Sequence, residues 1–508
     1  TDVGGEGEMQ TTETHRSEAG DVAADQGLRA PATPEATADS IAEVKRVFAL
    51  QQAHRWTMAR TTPSERIDRL HRLRDALLAH RSELHAAVHA DFRKSAPEFD
   101  ATELLPTLLE LKHTVAHLEE WLAPKYVRTP LVLVGTRSEI RYEPRGVVCI
   151  LAPWNYPLFL LITPLVSAIA SGNCAMLRPS DKVPRTSQVM KTIVRSAFDE
   201  REAALFTGGY DVADALLDLP FDHFFFTGSA RIGKKVMAKA AEHLASVTLE
   251  LGGKSPTLVD DTADIRAAAR RVVWGKMINA GQTCLAPDYV LVQERVRDRF
   301  IEQAKAEIQR MYGATETARR QNPDLARIID PGALRRIKAL IDDTVALGAR
   351  VEIGGNADPE ERYLAPTILS GVTPSAPIMR EEIFGPVLPV LTWRTLDEAL
   401  AVIHRLGKPL ALYMFSRRDA NVEEILRHTT AGGTTVNNTL IHVVNPDLPF
   451  GGVGASGQGN YHGEAGIRAF SHERSILRQG RPESLRPLHP PYGRRARAAL
   501  AWVERLFT

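Results

Sequence analysis

Several classes of protein are disfavoured by what this chain of 508 residues lacks. It has only three cysteines, Cys149, Cys174 and Cys284, and a sparse, odd set without a CxxC pair predicts neither a disulfide framework nor a metal site. Neither sign of charge dominates, because 63 Lys and Arg face 62 Asp and Glu for a formal net charge of +1. A nucleic-acid partner is not expected, since such proteins usually carry a basic surface.

The chain also lacks a long, uninterrupted apolar run. Its most apolar stretch, residues 147–172, contains Pro153, Pro157 and Pro164. Prolines at this density break a membrane-spanning helix, so the stretch predicts a buried strand, a loop and a buried helix. The first residues have no apolar segment behind a basic start, so we expect no signal peptide and a cytoplasmic location.

Both ends of the chain differ in composition from the rest. Residues 1–37 carry eight acidic side chains against two arginines, which predicts a disordered acidic tail. Residues 478–508 are basic and place their apolar residues on one helical face. Three interpretations of this extension stay open: it caps a pocket entrance, it makes peripheral contact with an anionic membrane, or it packs on the protein surface. Surface packing is the default.

Between these ends the pattern is helical first and then alternates between strand and helix. Apolar spacing predicts helices over residues 38–122, with breaks at Thr62–Pro63 and at Pro106. Short strands are predicted at residues 131–134 and 139–142. From Gly146 onwards, short apolar strands alternate with helices, beginning with a strand at residues 147–151. The alternation restarts after Gly252 with a helix at residues 265–280 and a strand at residues 289–293. This pattern predicts parallel α/β sheets with ligands at the carboxyl ends of their strands.

Three residues in this pattern are candidates for chemistry. Glu250 ends an apolar strand, where burial would raise its pKa into the range of a general base, although it could also face solvent. Cys284 lies in a loop after a helix, where it could be a nucleophile or a buried structural thiol. Asn155 lies in an apolar connection, and its amide could serve as an oxyanion donor or as a turn cap.

A glycine-containing turn offers a candidate anion site. Residues 226–233, FTGSARIG, place Gly228 and Gly233 between a strand and a helix. Such a turn lets the backbone approach a phosphate, and the helix N-terminus adds free N–H groups. The full GxGxxG fingerprint is absent, so the turn alone is a weak signal.

Together these motifs resemble those of the aldehyde dehydrogenase superfamily. The matching segments, in the family's order within residues 38–480, are PWNYP at 153–157, FTGS at 226–229 with Gly233, LELGGK at 249–254, GQTC at 281–284, EEIFGP at 381–386 and PFGG at 449–452. The segments APDY at 286–289, YHG at 461–463 and HPPY at 489–492 resemble the class 3 branch, which includes fatty-aldehyde and coniferyl-aldehyde dehydrogenases.

The resemblance implies an α/β fold with a Rossmann-like dinucleotide-binding domain, an α/β catalytic domain and a small β oligomerisation arm. The expected boundaries are residues 38–126 and 144–252 for the dinucleotide-binding domain, 253–445 for the catalytic domain, and 127–143 with 465–477 for the arm. Class 3 relatives are commonly dimers, so a homodimer is expected.

The resemblance also implies roles for single residues. Cys284 would attack a small-molecule aldehyde, Asn155 would stabilise the oxyanion, and Glu250 would activate the water that hydrolyses the thioester. NAD is the expected cofactor, and NADP is also considered. The expected cofactor-binding residues are Pro153, Trp154, Arg178, Asp181, Thr227, Gly228, Ser229, Gly233, Leu251, Gly252, Glu382 and Phe384. The expected substrate pocket consists of Tyr156, Trp274, Thr283, Leu440, Phe450 and His462.

Two positions depart from the family's usual residues. Arg178 stands where members usually have Lys, and Asp181 stands where many have Glu, both expected near the adenosine ribose. A guanidinium and a shorter acid make a phosphate easier to accommodate there, which is why NADP is considered. The aromatic walls of the expected pocket favour aromatic or medium- to long-chain aliphatic aldehydes.

Three alternatives stay open. A CoA-acylating enzyme would pass the acyl group from Cys284 to CoA, although such relatives commonly lack the general-base Glu. A cofactor-free cysteine hydrolase or esterase would use Cys284 without needing the cofactor motifs. A non-catalytic protein of the same fold would not need to keep both Cys284 and Glu250.

Overall fold

The computed structural model describes residues 34–481, 486 and 489–507. Most of the predicted acidic tail, residues 1–33, lies outside the described residues. The first helix begins at Pro34, so residues 34–37 are helical rather than part of a tail. The basic extension ends in a helix, in which Ala496 is buried while Leu500 and Trp502 are exposed.

Helices and strands alternate through most of the described chain. The helices are α1 (Pro34–Ala59), α2 (Pro63–Ala79), α3 (Arg81–Phe92), α4 (Ala96–Phe99), α5 (Leu105–Leu122), α6 (Phe159–Ala170), α7 (Pro184–Ala197), α8 (Tyr210–Leu217), α9 (Ala230–Glu242), α10 (Ile265–Met277), α11 (Arg297–Tyr312), α12 (Glu316–Gln321), α13 (Pro331–Ala346), α14 (Leu396–Leu406), α15 (Asp419–His428), α16 (Gly463–Ala469) and α17 (Arg494–Phe507). A π-helical turn, Asp100–Leu104, joins α4 to α5.

Within the described residues, the strands form four sheets. They are β1 (Lys125–Val127), β2 (Thr136–Pro144), β3 (Val147–Leu151), β4 (Cys174–Arg178), β5 (Ala203–Leu205), β6 (His223–Thr227), β7 (Ser246–Glu250), β8 (Pro256–Val259), β9 (Tyr289–Gln293), β10 (Arg350–Ile353), β11 (Ala357–Asp358), β12 (Tyr363–Leu364), β13 (Thr367–Ser370), β14 (Val387–Trp393), β15 (Ala411–Phe415), β16 (Gly433–Val436), β17 (Gly457–Gln458) and β18 (Ser471–Gln479).

A six-stranded sheet in the order β17-β7-β6-β3-β4-β5 forms the first large unit. Strands β3 to β7 run parallel, and only β17 is antiparallel, pairing Gly457 with Glu250. Helices α1 and α6 contact its central strands, so strands such as β3 are buried on both faces. That burial explains their nearly continuous apolar sequence.

A seven-stranded sheet in the order β10-β13-β14-β9-β8-β15-β16 forms the second. All of its pairings are parallel except that of the edge strand β10 with β13. Helices α10 and α11 pack against each other and against strands of this sheet, with an apolar core between them. The predicted α/β fold is therefore confirmed.

A third sheet, β1-β2-β18, is antiparallel and shares no strand with the two large sheets. Strand β2 pairs with β18 over its full length, from Thr136 with Gln479 to Pro144 with Ser471. The strand predicted at residues 131–134 is wrong: residues 131–133 form a 3₁₀ turn after Pro130. Pro130 has no N–H to offer a strand partner, and Gly135 turns the chain with a φ of +92°. Residues 465–469, expected in the arm, belong instead to α16.

The two parallel sheets bring several loops together. The loop after β3, the turn after β6 and the end of β7 lie at one edge of the six-stranded sheet, where parallel strands present their carboxyl ends. From the second unit come the segment before β9 and the segment before β14. This edge is where the candidate site lies.

Burial of the central strands predicts where the fold is sensitive to truncation. Leu177 has no exposed surface and pairs with Ile150 and Leu205 on either side. We expect Leu177→Ala to lower the free energy of unfolding by about 2–5 kcal/mol, because it opens a cavity in the six-stranded sheet. Urea unfolding followed by circular dichroism measures the change.

Leu347→Ala is the matched control, because Leu347 follows α13 and is 67% exposed. The same truncation there should shift unfolding by no more than about 0.5 kcal/mol. Equal midpoints for the two variants would contradict the assigned core.

Candidate active site

A cavity of about 540 Å³ lies where the loops of the two parallel sheets meet. Its wall contains most of the residues that the sequence predicted for a site: Pro153, Trp154, Asn155, Tyr156, Thr227, Gly228, Ser229, Glu250, Leu251, Gly252, Trp274, Thr283, Cys284, Glu382, Phe384, Leu440 and Phe450. Residues far apart in the chain therefore share one wall.

Four predicted residues do not line the cavity. Arg178 donates hydrogen bonds to the carbonyls of Gly208 and Gly209, and its partner Asp181 is largely exposed. Gly233 lies in the first turn of α9, and a Cβ there would come within 2.8 Å of the side chain of Leu251.

The fourth, His462, was expected in the substrate pocket, and the structure places it behind the pocket wall. Its ring is 3% exposed and packs against the rings of Phe159, Phe450 and Tyr461. Because Phe159, Phe450 and Tyr461 line the cavity themselves, they separate His462 from it.

Several residues of the cavity wall were not predicted from the sequence. The π-helical turn and α5 contribute Ala101, Thr102 and Pro106, and the cavity also contains Lys182 and Arg336. None of these residues belongs to a motif that the sequence analysis used, and the helical pattern around Pro106 gave no sign that this face meets a ligand. Further apolar lining comes from Phe159, Leu160, Ile278, Leu285, Ile329, Ala333, Leu410, Ile441, Val443, Val444 and Tyr461.

The backbone before Cys284 turns sharply. Asn279, Ala280 and Gly281 have φ values of +53°, +51° and +72°, so α10 ends at Met277 rather than at residue 280 as expected. A Cβ on Gly281 would come within 2.2 Å of the carbonyl oxygen of Gly385, so only glycine fits there. Three consecutive left-handed residues persist only where tertiary contacts hold them.

Gln282 supplies much of that support. Its buried amide donates to the carbonyls of Asn279 and Arg327, 3.1 and 3.0 Å away, and its Oε1 accepts the N–H of Ile329 at 2.9 Å. The side chain thus uses both donors and its acceptor. The half-buried thiol of Cys284 is presented to the cavity from this fixed segment.

Asn155 is tied to the same segment. Its side-chain Nδ2 donates to the backbone carbonyl of Gln282 at 3.0 Å. The backbone carbonyl of Asn155 accepts the Nδ2 of Asn279 at 2.9 Å. An amide nitrogen carries two hydrogens, so one donor of Asn155 remains beyond this hydrogen bond. The alternative of a local turn cap does not describe Asn155, because its amide bonds to a residue of the other sheet's loop.

The electrostatics around Cys284 favour the neutral thiol. Burial, together with the carboxylates of Glu382 and Glu250, raises the pKa of Cys284 to about 12, whereas backbone N–H groups oppose the rise. A thiol in this state attacks a carbonyl only with a proton acceptor nearby.

Glu250 is a candidate for that acceptor. It ends β7, is 2% exposed, and neither carboxylate oxygen has a hydrogen-bond partner among the described residues. Burial alone raises the pKa of Glu250 well above its usual range. The alternative of a solvent-facing carboxylate is therefore wrong, and both oxygens remain free to receive a proton or hold a water.

Glu382 occupies the space above Gly252. A Cβ on Gly252 would come within 2.0 Å of the Glu382 carboxylate, so the glycine makes room for it. Burial, with the neighbouring Asp288, raises the pKa of Glu382 to about 8. Phe384, in a left-handed conformation, meets Trp154 edge-on with ring centroids 5.4 Å apart.

The part of the cavity wall formed by the turn after β6, the cofactor end, suits the phosphates of a dinucleotide. Strand β6 ends at Thr227, whose buried hydroxyl has no hydrogen-bond partner among the described residues, and α9 begins directly after Ser229. Gly228 lets the backbone approach a ligand, and the helix N-terminus presents N–H groups to an anion. Lys182 adds positive charge to the same wall, although it also pairs with Asp330.

Two further features of the described residues bear on the site. No group of three or more His, Cys, Asp or Glu side chains in residues 34–481 and 489–507 is placed to hold a metal ion. Across the same residues, no helix has both the length and the apolar content that crossing a bilayer requires.

Similarity to known proteins agrees with this geometry. The profile of the aldehyde dehydrogenase family matches residues 29–476. A probable coniferyl aldehyde dehydrogenase of Caulobacter vibrioides is 41% identical over 448 residues, 86% of this chain and 92% of the relative. Human aldehyde dehydrogenase family 3 member B1 is 41% identical over 449 residues, 88% of this chain and 94% of the relative.

A solved structure shows the same fold. The substrate-bound state of Staphylococcus aureus AldH superimposes with a TM-score of 0.86 at 40% identity, covering 91% of this chain and 99% of that one. The predicted resemblance, including its class 3 character, is confirmed. The chain therefore belongs to the aldehyde dehydrogenase family and is an NAD(P)-dependent aldehyde oxidoreductase.

Proposed function

We propose that this chain oxidises aromatic or medium- to long-chain aliphatic aldehydes to carboxylic acids through a thioester on Cys284, which Glu250 hydrolyses as general base. The observation that carries the proposal is the shared cavity of Cys284, Asn155 and an unpartnered, buried Glu250. These are the nucleophile, the oxyanion donor and the base that such a reaction needs.

The cofactor end of the cavity has defined candidates for each part of the dinucleotide. Thr227, Gly228 and Ser229 would hold the pyrophosphate, and Glu382 and Phe384 would position the nicotinamide riboside. Bound there, NAD or NADP supplies the acceptor for a hydride from the substrate carbon. The roles predicted for Arg178 and Asp181 at the adenosine ribose stay predictions, since the Arg178 guanidinium bonds to backbone carbonyls.

The first half of the reaction uses Cys284 and Asn155. The sulfur bonds to the aldehyde carbon, and the thiol proton passes to a base, for which Glu250 is the candidate because its carboxylate is desolvated. The carbonyl oxygen gains negative charge, which the remaining N–H of Asn155 and the backbone N–H of Cys284 would stabilise. Loss of the hydride then leaves a thioester on Cys284.

The second half uses Glu250. Once Glu250 has released the thiol proton to solvent, its carboxylate can hold a water and remove a proton as that water attacks the thioester. The carbon–sulfur bond then breaks, the acid leaves, and the proton on Glu250 passes to the Cys284 sulfur and restores the thiol. The presence of this base favours water over CoA as the acyl acceptor. The cofactor end of the cavity likewise favours oxidation over a cofactor-free esterase.

The proposed substrate class rests on the apolar side chains of the cavity wall. Tyr156, Phe159, Leu160, Trp274 and Phe450 belong to it, and the hydroxyl of Tyr156 is bonded to that of Thr283 at 2.6 Å. A wall that exposes rings and aliphatic groups binds apolar aldehydes. The name of the Caulobacter relative, a probable coniferyl aldehyde dehydrogenase, supports the aromatic members of this class.

We also propose that the chain forms a homodimer and lies in the cytoplasm. The three-stranded sheet and its turn expose Tyr126, Leu131 and Leu477, an apolar surface that suits a homodimer. All three cysteines are free, which supports a reducing compartment such as the cytoplasm.

Substitution of the base tests the two-step reaction. We expect Glu250→Gln to lower steady-state oxidation by about 10²- to 10⁴-fold, because the amide cannot accept a proton from water. A first equivalent of reduced cofactor should still form, more slowly because the thiol has lost its candidate base, and acid-quenched mass spectrometry should find the acyl group on Cys284. Absorbance at 340 nm measures both phases.

Cys284→Ala is the control, and it should show neither phase. Normal turnover in Glu250→Gln, without acyl-protein, would exclude Glu250 as the hydrolytic base. Activity in Cys284→Ala would exclude the thioester altogether.

The raised pKa of Cys284 predicts a pH profile for alkylation. In the cofactor-free protein the reactive thiolate is a minor form at neutral pH, so its fraction grows about tenfold per pH unit below a pKa of about 12. We expect the rate of iodoacetamide modification to rise without a plateau between pH 7 and pH 10. Peptide mass spectrometry assigns the site.

Cys149 and Cys174 serve as internal controls, since both are fully buried and should stay unmodified in the folded protein. A plateau below pH 9 would show that the free thiol is already activated without cofactor or substrate.

A further inference from the structure

One short segment contacts both sides of the proposed oxyanion site. It comprises residues 94–104, which include α4 and the π-helical turn, and it contributes Ala101 and Thr102 to the cavity wall. Four charged side chains lie on it, and three of them, Lys94, Glu98 and Glu103, contact the loops that carry Asn155 and Cys284. The reaction proposed above gives none of them a role.

Glu103 fixes the side that carries Asn155. Its carboxylate pairs with Lys94 at 2.6 Å, and neither side chain has any exposed surface. The other carboxylate oxygen accepts the N–H of Leu158 at 2.9 Å, at the start of α6. A carboxylate at a helix N-terminus satisfies a free N–H and complements the helix dipole. It thus holds the end of the loop in which Asn155 lies.

Lys94 adds a contact within that loop. Its ammonium lies 4.0 Å from the centre of the Tyr156 ring, one residue after Asn155. A desolvated cation over an aromatic face is attractive, so the buried pair holds the loop at two neighbouring positions.

Glu98 fixes the side that carries Cys284. Its carboxylate accepts the N–H of Asn279 at 2.8 Å, the first of the three left-handed residues. The side-chain amide of Asn279 in turn donates to the carbonyls of Asn155 and Gln282. Glu98 is therefore one hydrogen bond from the residue that links the two loops.

We propose that Glu98 and Glu103 are positioning residues that hold the Cys284 loop and the Asn155 loop at the spacing which the oxyanion site requires. The inference rests on the proposed roles of Asn155 and Cys284. Neither carboxylate touches the aldehyde: Glu98 acts through Asn279, and Glu103 acts through the start of α6. Because Ala101 and Thr102 lie between the two acids in sequence and line the cavity, the same segment joins the pocket wall to the oxyanion donors.

Glu98 is the better residue to test, because Glu103 lies in a fully buried ion pair whose disruption would leave Lys94 buried without its partner and destabilise the fold. We expect Glu98→Ala to lower kcat between about tenfold and 100-fold, the cost of a misplacement near 1 Å. The dissociation constant of reduced cofactor, measured by fluorescence titration, should stay unchanged. Glu98→Gln keeps an acceptor for the Asn279 N–H and should recover kcat to within about threefold of wild type.

A double-mutant cycle with Asn155→Ala separates positioning from a general structural effect. If Glu98 acts through the Asn155 site, Glu98→Ala should cost less than about threefold in kcat once Asn155 is already alanine. Asp100→Ala is the matched control, since Asp100 lies in the same segment but, among the described residues, its carboxylate pairs with Arg81 and His85 and with neither loop. It should leave kcat at the wild-type value.

Each outcome decides the question. An equal loss from Glu98→Ala in both backgrounds, or a weakened affinity for reduced cofactor with no rescue by Glu98→Gln, would overturn the inference. If Asn155→Ala alone leaves kcat at the wild-type value, the proposed role of Asn155 fails instead, and the inference fails with it.

Discussion

The arrangement of the site depends on the backbone carbonyl of Gln282. It accepts the side-chain amides of Asn155 and Asn279 together, and so joins the loop after β3 to the loop before β9. These loops belong to different sheets. Two hydrogen bonds of ordinary strength would not hold two sheets together, but they fix the relative position of loops that packing has already brought close. The nucleophile and the oxyanion donor are thus held in one frame.

Burial then determines the charge of the reacting groups. Cys284, Glu250 and Glu382 all lie in the same cavity, and desolvation is the largest cause of the raised pKa of each. The two carboxylates and the thiolate would repel one another if all were ionised. The site therefore favours states in which not all three groups carry a charge. Proton transfer between Cys284 and Glu250 moves a charge within the cavity without requiring a new one from solvent.

The sequence was sufficient for the regular elements and the motif residues, and insufficient where distant contacts decide the backbone. Buried parallel strands such as Val147–Leu151 and Tyr289–Gln293 were found because their apolar runs end at glycines or loops. The end of α10 was misplaced because the left-handed turn after it is held by distant contacts, such as the hydrogen bond from the Asn279 N–H to Glu98. The π-helical turn was missed for the same reason, since the partners of Glu103 include Leu158.

Strand β7, which ends at Glu250, can complete its pairing only late in synthesis, because its edge partner is the short strand β17. The six-stranded sheet takes five of its strands from residues 147–250, but its edge beside Glu250 is completed by Gly457 and Gln458, with Ser456 accepting the N–H of Leu251. A growing chain that has reached the end of β9 already contains Cys284 and Glu250, yet β7 still lacks its neighbour. The base therefore receives its final surroundings only after Gln458 has been made, and unfinished chains carry the reactive residues without the finished site.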